Sequence, residues 1–184
     1  IARHFHLPIQ SGSDKVLKEM NRKHDSKHYL ELVGKLRTAM PEISITTDII
    51  VGFPGETEQD HIDTLELCKK VRYDNAFTFI YSARHNTPAA KRDDQIDDKT
   101  KSRRFQELLD VLYPIFKEKN LNEIGKTHKV LVETVSKNND EMLSGRTLSN
   151  KLIHFKGTSE LIGKLVEVKV TACTSFTLEG DIVE

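Results

Sequence analysis

The chain has 184 residues, 28 Lys plus Arg against 28 Asp plus Glu, a pI near 7.3 and two cysteines. A balanced charge excludes recognition that relies on a strongly basic field alone, and no apolar run approaches the roughly 20 residues that span a bilayer. Cys68 and Cys173 lie far apart in sequence, so neither a disulfide framework nor a cysteine-based metal cluster is legible. These bounds lead to the expectation of a reduced, cytosolic, soluble globular protein with enough chain to bury a core. The chain begins at Ile1 and reaches the apolar-rich Phe5–Ile9 almost at once, which reads as a cut inside a larger protein.

From residue 4 to about 81 short β-rich runs alternate with helical periods. His4 to Ile9 is the first, ended by the turn-forming Gln10-Ser11-Gly12-Ser13-Asp14. A helix with Val16, Leu17 and Met20 on one face follows. A second carries Leu30, Val33, Leu36 and Met40 at helical spacing and stops at Pro41. Ile43 to Val51 then becomes continuously apolar, as buried parallel strands do. Gly52-Phe53-Pro54-Gly55 turns the chain, and Thr57 with Asp60 three residues on predicts the start of a helix bearing Ile62, Leu65, Cys68 and Val71. Ala76 to Tyr81 is another strand. Strand and helix in alternation predict a parallel sheet with crossover helices.

Residues 84–98 are polar and acidic towards their end. Phe105, Leu108, Leu109, Leu112 and Phe116 mark a long helix in which Pro114 predicts a kink. After Gly125 the texture changes to short strands, around Lys129–Glu133, Lys151–Phe155, Lys164–Val170 and Ser175–Leu178. Turn-prone segments such as Asn138-Asn139-Asp140 and Lys156-Gly157-Thr158 separate them. Short strands at this density predict a small antiparallel β-barrel of the oligonucleotide-binding kind. The expected division is an α/β domain over residues 1–122 with its closing helix, then a barrel over 123–184.

Candidate chemistry gathers at the carboxyl ends of the predicted parallel strands, where α/β folds bind ligands. Gln10 ends the first strand, Asp48 sits within the second, and Arg22 follows the first helix closely enough to fold back over the same rim. A carboxylate in a buried strand is costly without a partner. Asp48 therefore either accepts from a ligand or pairs internally with Arg22, and both readings stay open. The glycines of the Gly52–Gly55 turn allow close backbone approach at a helix start, although no phosphate-loop lysine follows. His4 and His6 share a strand face without a third ligand, which favours a core or rim position over a metal. Cys68 and Cys173 read as buried, inert thiols. In the barrel, Arg146, Lys151 and Lys156 with Phe155 and Phe176 either hold single-stranded RNA, phosphates by charge and bases by stacking, or divide into solvated cations and core rings.

His6-Leu7-Pro8-Ile9-Gln10-Ser11-Gly12-Ser13, Met20-Asn21-Arg22 and Thr47-Asp48-Ile49-Ile50-Val51-Gly52-Phe53-Pro54-Gly55-Glu56-Thr57 resemble the radical SAM methylthiotransferases. Phe77 to Ser82 and Thr87-Pro88-Ala89-Ala90 fit the same pattern. Ser144-Gly145-Arg146-Thr147, Asn150-Lys151 and His154-Phe155 resemble the C-terminal TRAM domain of the tRNA-modifying branch rather than its sisters. The resemblance implies the last half of an incomplete (β/α) barrel followed by an RNA-binding TRAM barrel. The activity it implies is cleavage of S-adenosylmethionine on a 4Fe–4S cluster to methylthiolate C-2 of isopentenyladenosine beside the tRNA anticodon. It assigns Gln10, Ser11, Arg22, Asp48, Gly52, Phe53 and Pro54 to the cofactor and Arg146, Lys151, Phe155 and Lys156 to RNA. It implies tRNA and an electron donor as partners, no membrane, and a monomeric cytoplasmic enzyme. The family's Cys-x-x-x-Cys-x-x-Cys loop has no counterpart here. No residue of this chain is therefore assigned to catalysis or to metal, and the chain alone is expected to be inactive. The alternatives are a stand-alone RNA-binding module with a vestigial barrel and without catalysis, or a sister methylthiotransferase acting on another substrate.

Overall fold

The structure is a computed structural model that describes residues 2–136 and 139–183. Strand β1 (His4–His6) leads through an extended segment to Gln10, and helix α1 (Asp14–Glu19) begins after Ser13, whose hydroxyl caps the Val16 N–H. Helix α2 (Ser26–Ala39) is capped by Asp25, which accepts from His28 N at 2.7 Å. Strand β2 (Ser44–Val51) pairs in parallel with β3 (Asn75–Ile80), in the register Asp48↔Phe77 and Ile50↔Phe79. Between them runs α3 (Glu58–Val71), opened by a Thr57/Asp60 capping box and closed by Arg72 in the left-handed region. The sheet order is β1-β2-β3, and beyond β1 the chain meets β2 again where Gln10 bridges Ile49 in parallel.

Ile9, Val16, Leu17, Ile45, Ile49 and Cys68 are fully buried or nearly so, so the helix-facing side of β2 carries the apolar load. Helix α4 (Asp98–Leu121) runs on through Pro114, whose missing N–H removes one turn's hydrogen bond without ending the helix. By compactness the chain divides into one unit of His6–Pro41 with Ile45–Tyr113 and another of Ile1–Phe5, Glu42–Ser44 and Pro114–Glu184.

The second unit holds a closed five-stranded barrel in the order β4-β5-β6-β8-β7: β4 (Thr127–Ser136), β5 (Asn139–Thr147), β6 (Leu152–Lys156), β7 (Leu165–Cys173) and β8 (Thr177–Ile182). Four pairings are antiparallel, while β6 and β8 run parallel and close the cylinder. Val130, Val132, Leu143, Ile153, Phe155, Val168, Val170 and Leu178 fill it. Strand β5 escapes sequence reading because Ser144-Gly145-Arg146-Thr147 lacks apolar alternation. The turn expected at Asn138 lies outside the described residues, and Asn139 already belongs to β5.

Candidate functional site

A cavity of about 580 Å³ opens at the carboxyl ends of β2 and β3, lined by Gln10, Arg22, Asp48, Ile50, Phe79, Ile80, Tyr81, Ser82, Arg84, Thr87 and Ala89. Three of the residues singled out in the sequence, Gln10, Arg22 and Asp48, therefore share one space. Each is placed by a local device. Gln10 adopts φ 75°, unusual for a side-chain-bearing residue, and is held there because its N–H donates to Asp48 O while its carbonyl accepts from Ile50 N, both at 2.9 Å. Its side chain is only 7% exposed and has no hydrogen-bond partner among the described residues, so strain and an unused amide coincide at this rim. Arg22 returns over the rim because Asn21 turns left-handed after α1 and the Arg22 N–H closes onto Leu17 O. Strand alternation puts Asp48 and Ile50 on the face opposite the packed Thr47 and Ile49.

Asp48 and Arg22 do not form an ion pair. The neighbour of Asp48 is instead the His6 imidazole, whose Nε2 lies 3.5 Å from Oδ1 while its Nδ1 meets Thr46 Oγ1 at 2.9 Å. Asp48 keeps 29% of its side chain open to solvent. His6 is thus a rim residue, and among the described residues no group of three or more His, Cys, Asp or Glu is arranged to hold a metal ion.

The other cofactor candidates lie beside this cavity rather than in its wall. Ser11 is buried, with its hydroxyl 3.3 Å from Thr64 Oγ1 and accepting from Ser13 N, a loop-to-α3 brace. Gly52 needs to be glycine for its φ of 76° and because a Cβ would fall 2.5 Å from Lys101 Cγ. The lysine stem occupies the space that close ligand approach would require. The Phe53 ring packs edge-on to Tyr81 at 5.3 Å and lies under the Arg92 guanidinium at 5.9 Å, and Pro54 is buried.

Sequence reasoning missed the polar frame beneath the turn. Arg104 and Glu56 form a buried ion pair at 2.8 Å, 6% and 2% exposed, and Glu56 also accepts from Gly52 N at 3.1 Å. Burial pushes the Glu56 carboxyl above its ordinary range against the pull of Gly52 and Arg104. Asp60 accepts from Ser13 Oγ at 2.6 Å, Lys15 Nζ at 2.8 Å and Thr57. Burial opposes its charge, but those bonds outweigh it and hold the carboxyl well below the usual range. The Thr57 and Gly52 contacts are local, but Ser13, Lys15 and Arg104 reach these carboxylates from more than 40 positions away, beyond any periodicity signal. A lone loop arginine such as Arg84 carries no sequence signal.

In the barrel the candidates separate. Phe155 is a correction: at 0% exposure it belongs to the core and offers no ring face to a base. Arg146 is partly exposed and tied to Asn150 O at 3.1 Å and to Glu133 at 3.6 Å. Lys151 donates to Asn120 Oδ1 at 2.7 Å. Lys156 is exposed and has no ion-pair or hydrogen-bond partner among the described residues. Phe176 is half exposed and packs edge-on to Phe116. Cys68 is buried and its thiol pushed up to about 12 by desolvation, whereas Cys173 is partly buried with Lys117 Nζ 3.6 Å from its sulfur.

Among the described residues, no helix is long and apolar enough to cross a membrane. The radical SAM superfamily profile matches residues 2–68, and the TRAM domain profile matches residues 122–183. The tRNA-2-methylthio-N(6)-dimethylallyladenosine synthase of Alkaliphilus oremlandii is 50% identical over 184 residues, all of this chain and 39% of that protein. The synthase of the same name from Carboxydothermus hydrogenoformans is 52% identical over 183 residues, all of this chain to the nearest per cent and 42% of that protein. The chain thus spans about two fifths of the length of these curated relatives. Among solved structures, the radical SAM enzyme coproporphyrinogen III oxidase from Escherichia coli superimposes with a TM-score of 0.53 at 21% identity, covering 61% of this chain and 27% of that one. That likeness concerns the fold. The chain is thus similar to the radical SAM superfamily over residues 2–68 and to the TRAM domain over residues 122–183.

Proposed function

We propose that this chain is the cofactor-binding and tRNA-binding portion of an enzyme that methylthiolates C-2 of isopentenyladenosine next to the tRNA anticodon. Residues 1–122 serve as the radical SAM part and residues 123–184 as the RNA-binding part. The convergence of Gln10, Arg22 and Asp48 on one cavity carries the reading, and the names of the half-identical relatives supply the reaction.

S-adenosylmethionine fits the donor set. Arg22 suits its carboxylate, Asp48 its ammonium or ribose hydroxyls, and the Gln10 amide has both a donor and an acceptor to give. Held by these residues, S-adenosylmethionine would be the precursor of a carbon radical formed on one-electron reduction, which is why an electron donor belongs among the partners. The cluster itself does not fit these residues. Three thiolates must converge, and the chain has two cysteines, of which Cys68 is buried with a raised thiol pKa. The chain alone binds and does not turn over. A monomeric cytoplasmic enzyme with tRNA as substrate completes the reading, with Lys156 and Arg146 as the barrel's RNA contacts.

Isothermal titration of the chain with S-adenosylmethionine tests it. Asp48→Asn should weaken binding about tenfold or more, the loss of one charge-assisted hydrogen bond. Equal affinity in the variant would sink the site. No affinity in the unsubstituted chain, with RNA binding retained, would favour an RNA-binding module without catalysis.

A further inference from the structure

The cavity holds more positive charge than its cofactor uses. Among its described lining residues Asp48 is the one carboxylate, set against the guanidinium groups of Arg22 and Arg84. Neither arginine forms an ion pair or a side-chain hydrogen bond among the described residues. Arg84 is held only through its carbonyl, which accepts from Thr87 N at 3.2 Å and Thr87 Oγ1 at 2.9 Å, so its side chain is left to the cavity mouth. S-adenosylmethionine carries a sulfonium and an ammonium against one carboxylate and is a net cation. One arginine answers its carboxylate, and a second adds repulsion unless another anion shares the space. The wall on Arg84's side is Phe79, Ile80 and Tyr81, with Phe79 half exposed, the kind of surface on which an unstacked base rests.

We infer that Arg84 binds a backbone phosphate of the substrate RNA strand, so that the cavity takes the cofactor on its Gln10–Arg22–Asp48 side and a nucleotide on its Arg84–Phe79 side. This rests on the proposed function and names the residue that positions its substrate. Arg84 enters the cavity from the loop after β3 and Arg22 from the segment after α1, so the two guanidinium groups belong to separate parts of the chain and can serve two ligands.

The test compares Arg84→Ala, Arg84→Lys and Arg22→Ala in the full 184-residue chain, with two probes. One is S-adenosylmethionine by titration calorimetry; the other is a short RNA hairpin with a single-stranded adenosine-containing loop, by fluorescence anisotropy at several salt concentrations. Arg84→Ala should weaken RNA binding about tenfold and lower the slope of log Kd against log salt by about 0.7, one phosphate's share on a single strand. Its affinity for S-adenosylmethionine should stay within twofold or tighten. Arg84→Lys should restore the salt slope, and Arg22→Ala should lose the cofactor first. RNA affinity and salt slope unchanged in Arg84→Ala, with both probes still bound, would overturn this inference alone. An unsubstituted chain that binds neither probe would overturn the proposed function along with it.

Discussion

At the residue scale the clearest consequences concern buried ionisable groups. Asp60 is held as a carboxylate by Ser13, Lys15 and Thr57, so its folded pKa lies below its unfolded one. That stabilisation is complete above the ordinary carboxylate range and drains away as pH falls below about 4. Asp60→Asn should cost about 2 kcal/mol at pH 7 in urea unfolding, and the gap from the unsubstituted chain should close towards pH 3. Glu56 behaves oppositely, its raised pKa removing stability as pH rises through the acid range. Arg104→Leu would leave this carboxylate buried without its counter-ion and should cost about 3–5 kcal/mol at pH 7. Cys68 should resist iodoacetamide at pH 8 in the folded chain and react only after denaturation, since its thiol is both covered and pushed up to about 12. A native Cys68 adduct by mass spectrometry would contradict that burial.

At the element scale, the loop between β1 and α1 meets α3 at a distance only glycine allows. A Cβ on Gly12 would stand 2.5 Å from Thr64 Cα and 2.6 Å from Asp63 O, both backbone atoms that cannot swing aside. The Gly12 N–H also donates to Thr64 Oγ1 at 2.9 Å. Gly12→Ala should therefore cost about 1–3 kcal/mol and, by shifting Gln10 and Arg22 on either side of it, weaken S-adenosylmethionine binding as well. Gly34, whose Cβ meets nothing within 4 Å on α2, supplies the control: Gly34→Ala should stabilise by up to about 1 kcal/mol. The cap of α3 was legible beforehand in Thr57 and Asp60, but only Cys68 and Val71 of its expected face are buried: Ile62 is exposed and Leu67 takes the inner position. Strand β5 was not, because its place is fixed by pairing with β4 and β6 on both sides rather than by its own side chains.

At the scale of the whole chain, ligand binding and core integrity should separate. S-adenosylmethionine at 100 times its Kd should raise the unfolding free energy of the part that binds it by about 2.7 kcal/mol, read in thermal or chemical unfolding. Phe155→Ala should destabilise the barrel by about 3–5 kcal/mol, through the cavity it leaves among Val130, Leu143 and Ile153. That loss belongs to packing, and the S-adenosylmethionine affinity of the other unit should not follow it. Lys156→Ala, on an exposed and unpaired side chain, should leave stability within about 0.5 kcal/mol while lowering the salt slope of RNA binding.

The sequence by itself determined the alternation of parallel strands and helices, the small barrel after it, and the rim on which Gln10, Arg22 and Asp48 stand. Periodicity, caps and turn residues are local, and Gln10, Arg22 and Asp48 are among the residues that carry the family resemblance. Only the tertiary structure decided that Asp48 neighbours His6 rather than Arg22, and that Lys101 rather than a ligand fills the space over Gly52. It also turned Phe155 into the barrel and left Arg84 at the mouth of the cavity. Those outcomes depend on which distant side chain reaches a given space first, and exclusion by volume is settled between elements, where one-dimensional spacing carries no information.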